Sequence, residues 1–198
     1  RYPSAPYPRD ILAFASSTAN DLSADAMAFL EAEIGGDAAG LEQGTAYAAY
    51  LEKLRSRIAA AYRLPKGTDI FFAPSGTDLE YVALLAVAGR KPHGIANLLL
   101  GADEVGSGCI HSAAGRYFAH ETAIVSGVRP GQDVDGLPSI TMGDFPVRNP
   151  EGEAYDSATL TAQMEAAIAA ALSEGRFPLV HVVHGSKTGL VLPHLDDI

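Results

Sequence analysis

The segment that most constrains this chain is an apolar run at residues 69–73, a Pro74-Ser75-Gly76-Thr77 turn, and an amphipathic continuation predicted as a helix over 78–88. Strand, small-residue turn and helix in that order are the building step of a layered α/β fold. The turn also delivers unpaired N–H groups and the positive end of a helix dipole to one place, where an anion is favoured. Gly76 lets another group approach the backbone, and the hydroxyls of Ser75 and Thr77 add donors. A plainer reading is that Ser75 or Thr77 simply caps the helix.

The rest of the chain repeats the alternation. Ser23 is a cap for a helix over 24–34, where Ala26, Met27, Leu30 and Ile34 recur at helical spacing before Gly35-Gly36. A longer helix is predicted over 45–62, with Tyr47, Leu51, Leu54, Ile58 and Ala61 on one face. Residues 95–100, Ile-Ala-Asn-Leu-Leu-Leu between Gly94 and Gly101, read as a buried strand, and Ser107 or Gly108 opens a helix expected to run through Phe118. From 127 to 152 the chain is rich in Gly, Pro and Asp and reads as loops and short strands. A helix over 158–173, capped by Asp156 or Ser157, carries Leu160, Met164, Ile168 and Leu172, and the run from Pro178 to Val183 reads as one further buried strand. The expected fold class is α/β, a mainly parallel sheet flanked by helices in three layers, α/β/α. Residues 1–20, with Tyr2-Pro3 and Tyr7-Pro8, read as an irregular arm of the kind that crosses a dimer partner.

Composition removes several function classes. With 198 residues and 47% hydrophobic content the chain can bury a sizeable core. Its longest apolar run, near 84–88, is far shorter than a membrane span, and the N-terminus has no signal-peptide pattern, so a cytoplasmic location and no membrane partner are expected. A formal charge of −10 without a basic stripe argues against nucleic acid and for a small-molecule partner. Cys109 is the single cysteine, which excludes an internal disulfide and favours a small buried hydrophobe over a nucleophile.

The remaining motifs are weak. Gly106-Ser-Gly-Cys-Ile-His111 lacks the last glycine of a dinucleotide fingerprint, and Gly185-Ser-Lys187-Thr-Gly has His181 where a P-loop requires glycine. His181 and His184, three apart on one predicted strand, would face opposite sides, so no metal site is expected. Asp196-Asp197 and Asp103-Glu104 read as solvated charge, although the second pair follows a strand end, where open α/β sheets place their ligand crevice.

Three segments in this order resemble the large domain of fold-type I pyridoxal-phosphate enzymes, in the class V aminotransferase and cysteine desulfurase group: the helix from Tyr47 to Tyr62, the run 69–80, and 181–198 with its Thr188-Gly189 pair. The resemblance implies a pyridoxal 5'-phosphate cofactor, with Ser75, Gly76 and Thr77 on its phosphate. Glu104 or Val105 would cover the pyridine ring, and Ser186 stands where the family often places an asparagine near the phenolic oxygen. It implies a transferase or lyase acting on an amino-acid substrate, working as a homodimer. The Schiff-base lysine and the aspartate of the pyridine nitrogen would follow the Thr-Gly segment, beyond residue 198; residues 21–198 are then the N-terminal part of a truncated large domain, and Lys187 matches a position that does not form the Schiff base. The alternative expectation is a noncatalytic α/β module that binds a phosphorylated small molecule through the same turn.

Overall fold

The computed structural model describes residues 21–35, 44–122, 125–186 and 188–197. The expected arm at 1–20 and Lys187 lie outside the described residues. The chain divides into two compact units, Tyr2–Phe72 and Ala73–Ile198.

The first unit is helical. Helix α1, Ala24–Ile34, begins where Ser23 accepts from the Ala26 N–H and ends at Gly35 with φ 64°, a left-handed stop that glycine adopts without penalty. Helix α2 spans Gly44–Tyr62. Glu33 joins the two by accepting from Lys53 at 2.7 Å and Arg57 at 3.1 Å. The predicted strand at 69–73 does not form. Its residues favour a ladder, but the Ile70 carbonyl accepts from Arg55 Nε instead, and Phe71 and Phe72 are exposed. A β-propensity without a pairing strand gives no strand.

The second unit carries a three-stranded parallel sheet flanked by helices. Strand β1, Ile95–Leu100, is central and buried at all six residues, as its sequence, apolar but for Asn97, predicts. Strand β2, Ile140–Phe145, lies on one side and β3, Phe177–His181, on the other. Leu99 is level with both Asp144 and His181.

Helix α5, Ser157–Ser173, starts at its Asp156 cap and crosses one face of this sheet. Its buried stripe is Leu160, Met164, Ala167, Ile168 and Ala171, against Ala96, Leu98, Leu100 and Val180. Leu172, expected inside, is 47% exposed because 3.6 residues per turn carry the stripe onto Ala171.

The other face receives α3, Gly76–Val87, and the short helix α4, Cys109–Ala113. Asn97 points to that side and donates to the Ala113 carbonyl at 2.7 Å, while Tyr81 of α3 stacks on Phe118. Helix α4 stops well before the expected Phe118. Gly115, at φ 71°, turns the chain against Ile140, and Tyr117 then donates to Gln132. The predicted strand 178–183 is also two pieces: β3 ends at His181, and β4, Val183–His184, pairs antiparallel with β5, Val191–Leu192. The expectation that His181 and His184 face opposite sides of one strand is therefore withdrawn. No helix among the described residues is long and apolar enough to cross a membrane.

Candidate functional site

The carboxyl ends of the three parallel strands and the start of α3 bring most of the expected site residues into two adjoining groups. The first is the opening turn of α3. Ser75 is its N-cap, with its hydroxyl accepting from the Asp78 N–H and donating to the Asp78 carboxylate at 2.6 Å, so the capping role is realised. The N–H groups of Gly76 and Thr77 have no acceptor among the described residues. Among the described residues no atom beyond its chain neighbours and its own helix backbone lies within 4 Å of where a Cβ on Gly76 would stand. Thr77 Oγ1 lies 3.5 Å from Cys109 Sγ, and the loop after β1 closes on this pair at Gly106.

The second group is built around Glu104. The residue is 4% exposed, at the end of a 3₁₀ turn, Ala102–Glu104, that begins where β1 ends. Its carboxylate accepts from Arg148 Nε at 2.9 Å, the Thr188 N–H at 3.1 Å and the Thr188 hydroxyl at 2.8 Å. Arg148 also donates to Thr188 Oγ1 and to the Gly152 carbonyl. One carboxylate thus ties the loops after β1, β2 and β4. The Ser186 hydroxyl, Arg148 and Thr188 together hold the Glu104 carboxyl down at about 2, against the opposing effect of burial.

This arrangement changes how Glu104 and Ser186 are read. Glu104 is neither solvated charge nor free to cover a ring, since its oxygens are engaged by three loops. Ser186 holds Glu104 and accepts from the Leu190 N–H. Val105 follows as a half-buried residue at the same loop. A charged Glu104 is stabilised in the folded chain, so its contribution is complete above pH 4.5 and is lost as pH falls from there through about 2. Glu104→Gln places an amide N–H against one of the donors. The expected outcome is Thr188 amide exchange faster by at least about tenfold with the Leu98 amide unchanged, read by hydrogen exchange.

Sequence reasoning overlooked a third feature, the pair Glu80 and His181. Thr77, Glu80 and Leu84 form one inward stripe of α3, and Leu84 is fully buried. His181 sits on the sheet face opposite Val180 and so meets α3, with its Nδ1 3.2 Å from Glu80 Oε2. The approach lacks hydrogen-bond alignment, and Glu80 Oε2 and His181 Nε2 are both buried without a partner. Burial pushes the Glu80 carboxyl up to about 7 and the His181 imidazole down. The i, i+3 relation between Thr77 and Glu80 was the available signal.

Asp144, exposed at the end of β2, is also raised, first by desolvation and then by the charge of Asp103. Among the described residues no group of His, Cys, Asp or Glu is placed to hold a metal ion. Comparison with family models matches none to this chain, and comparisons with curated proteins and with solved structures give no significant match.

Proposed function

We propose that this chain carries the cofactor-binding part of a pyridoxal-phosphate-dependent transferase or lyase acting on an amino-acid substrate. The observation that carries the reading is the first turn of α3, where the Gly76 and Thr77 N–H groups lack acceptors and the space over Gly76 is open. That turn starts a 12-residue helix, long enough to direct a dipole at an anion.

The residues present fit the phosphate of the cofactor: two backbone donors and the Thr77 hydroxyl at the head of α3, with no Cβ to obstruct them. They fit its ring less fully. Val105 is the residue left to lie against it, because Glu104 and Ser186 are engaged with each other and with Arg148 and Thr188. Glu104 serves by fixing the loops that border the crevice, a positioning role. The cofactor, when bound, supplies an electron sink for bond cleavage next to the amino group. The chain's own residues anchor the phosphate and hold the loops in register.

The test is the longest natural form of the protein, purified with pyridoxal phosphate. An absorbance band between about 300 and 500 nm that borohydride removes, leaving an adduct on a lysine, is the expected result. The double substitution Gly76→Pro with Thr77→Val should abolish the band, since it removes one N–H donor and one hydroxyl. A protein that binds inorganic phosphate through the same turn but forms no band is instead a noncatalytic module for phosphorylated small molecules.

A further inference from the structure

Glu80 and His181 approach one another between α3 and the sheet with no third partner among the described residues to balance either. Their side chains are 14% and 18% exposed, and the contact joins the middle of the inward α3 stripe to the last residue of β3. Few other charges reach it. On α3 itself Asp78 is bonded to the Ser75 hydroxyl, and α4 contributes Cys109 against Thr77 and His111, whose Cε1 lies toward Gly131. Strand β1 contributes no charge, only Leu99 and the buried Asn97, and α5 lies on the opposite face. Asp144 of β2 occupies the same cross-strand level but one strand further away, beyond Leu99.

Each protonation state has a different cost. With two protons an imidazolium is buried against a neutral acid, and with none a carboxylate is buried against a neutral ring; either way a charge is left without its counterpart. With one proton, the acid donates to His181 Nδ1 or an ion pair forms, and the facing atoms are satisfied by a small realignment of the 3.2 Å contact, leaving only His181 Nε2 without a partner among the described residues. Thr77, in the first turn, is one helical step from Glu80, where neighbouring side chains start roughly 5–6 Å apart.

We propose that Glu80 and His181 form a one-proton acid–base dyad that couples the packing of α3 on the sheet to anion binding at Gly76 and Thr77. The dyad deepens the phosphate-site reading and rests on it for the anion it serves. A dianion at the first turn repels a carboxylate one step along, so it favours the state in which Glu80 keeps the proton. By reciprocity, loss of that proton weakens the anion.

Two readouts test this on the full chain. In the first, the His181 ring nitrogens and the Glu80 carboxyl carbon are followed by NMR against pH; a shared titration step near neutrality is expected, and Glu80→Gln should leave His181 a single step at a different midpoint. In the second, sulfate serves as a dianion that does not itself titrate between pH 6 and 8.5. Its affinity should fall on the order of fivefold across that range in the native chain and stay flat in Glu80→Gln. Independent titration of the two groups, or a sulfate profile unaltered by Glu80→Gln, overturns the dyad. Joint titration in a chain that binds no sulfate at any pH overturns the phosphate-site reading and the coupling to it, leaving the shared proton itself established.

Discussion

Gly94→Ala is expected to be the most damaging single methyl that can be added to this chain. Gly94 precedes the central strand at φ 92°, where an L side chain is already strained. A Cβ there would stand 2.0 Å from the Ser139 carbonyl oxygen and 3.0 Å from its carbon. That carbonyl cannot move aside cheaply, because it accepts from the Ile95 N–H at 2.9 Å and so fixes β2 on β1. The Gly94 carbonyl in turn accepts from Phe177 at 2.9 Å and starts the pairing of β3. Both neighbours of the central strand begin at this residue, so relief of the clash must open one ladder or the other. A loss of about 3 kcal/mol or more is expected by urea unfolding, which for a domain of this size is a large part of the total. Gly76→Ala is the informative control, since its φ is unexceptional and its Cβ would meet nothing. Equal losses at the two positions would mean that the Gly94 crossing is looser than its contacts imply.

The elements that could be read from sequence are those whose burial is settled locally. All six residues of β1 are buried, and its apolar run between two glycines announces this without reference to any partner. Helices α1 and α5 carry their own caps at Ser23 and Asp156. Strand β2 was hidden because its pattern is intermediate and exposed, with Gly143 and Asp144 in the middle of the run, and only pairing with β1 makes it a strand. The strand expected at 69–73 fails for the converse reason: its propensity is local, and no strand pairs with it, the Ile70 carbonyl accepting from Arg55 of α2 instead.

The site divides along the same line. The opening turn of α3 is legible because capping and small residues act within four positions. The Glu104 tie is not, because Arg148 and Thr188 lie 44 and 84 residues away, and a local reading of Asp103-Glu104 can only see two acids after a strand. A buried carboxylate with three sources of donors is a long-range fact. Its partners came from a loop region and from a Thr-Gly turn, neither of which shows periodicity.

Glu80→Gln should stabilise the protein, and only above mildly acidic pH. Burial raises the Glu80 carboxyl from 4.5 to about 7, so the folded chain takes up a proton between those values that the unfolded chain has lost. Stability therefore falls as pH rises through that window, and the whole penalty is present above pH 7. His181 acts in the opposite sense: its lowered value means that the unfolded chain holds the extra proton below 6.5, so its share of stability is lost as pH falls. Glutamine keeps the shape of the neutral acid and cannot ionise. Near pH 4.5 the substitution should change little, and at pH 8.5 it should raise unfolding free energy by up to about 3 kcal/mol, the cost of ionising a buried carboxyl. The figure is the upper end, because transfer of the proton to His181 would replace the lone carboxylate by an ion pair and recover part of the cost. The size of the gain thus measures how the proton is held. A gain near the full amount means that Glu80 ionises alone while His181 stays neutral. A gain close to zero at pH 8.5, with native stability level between pH 5 and about 6 and falling only above 6.5, where the unfolded imidazole loses its proton, means that the proton crosses to the ring and the folded pair remains neutral overall.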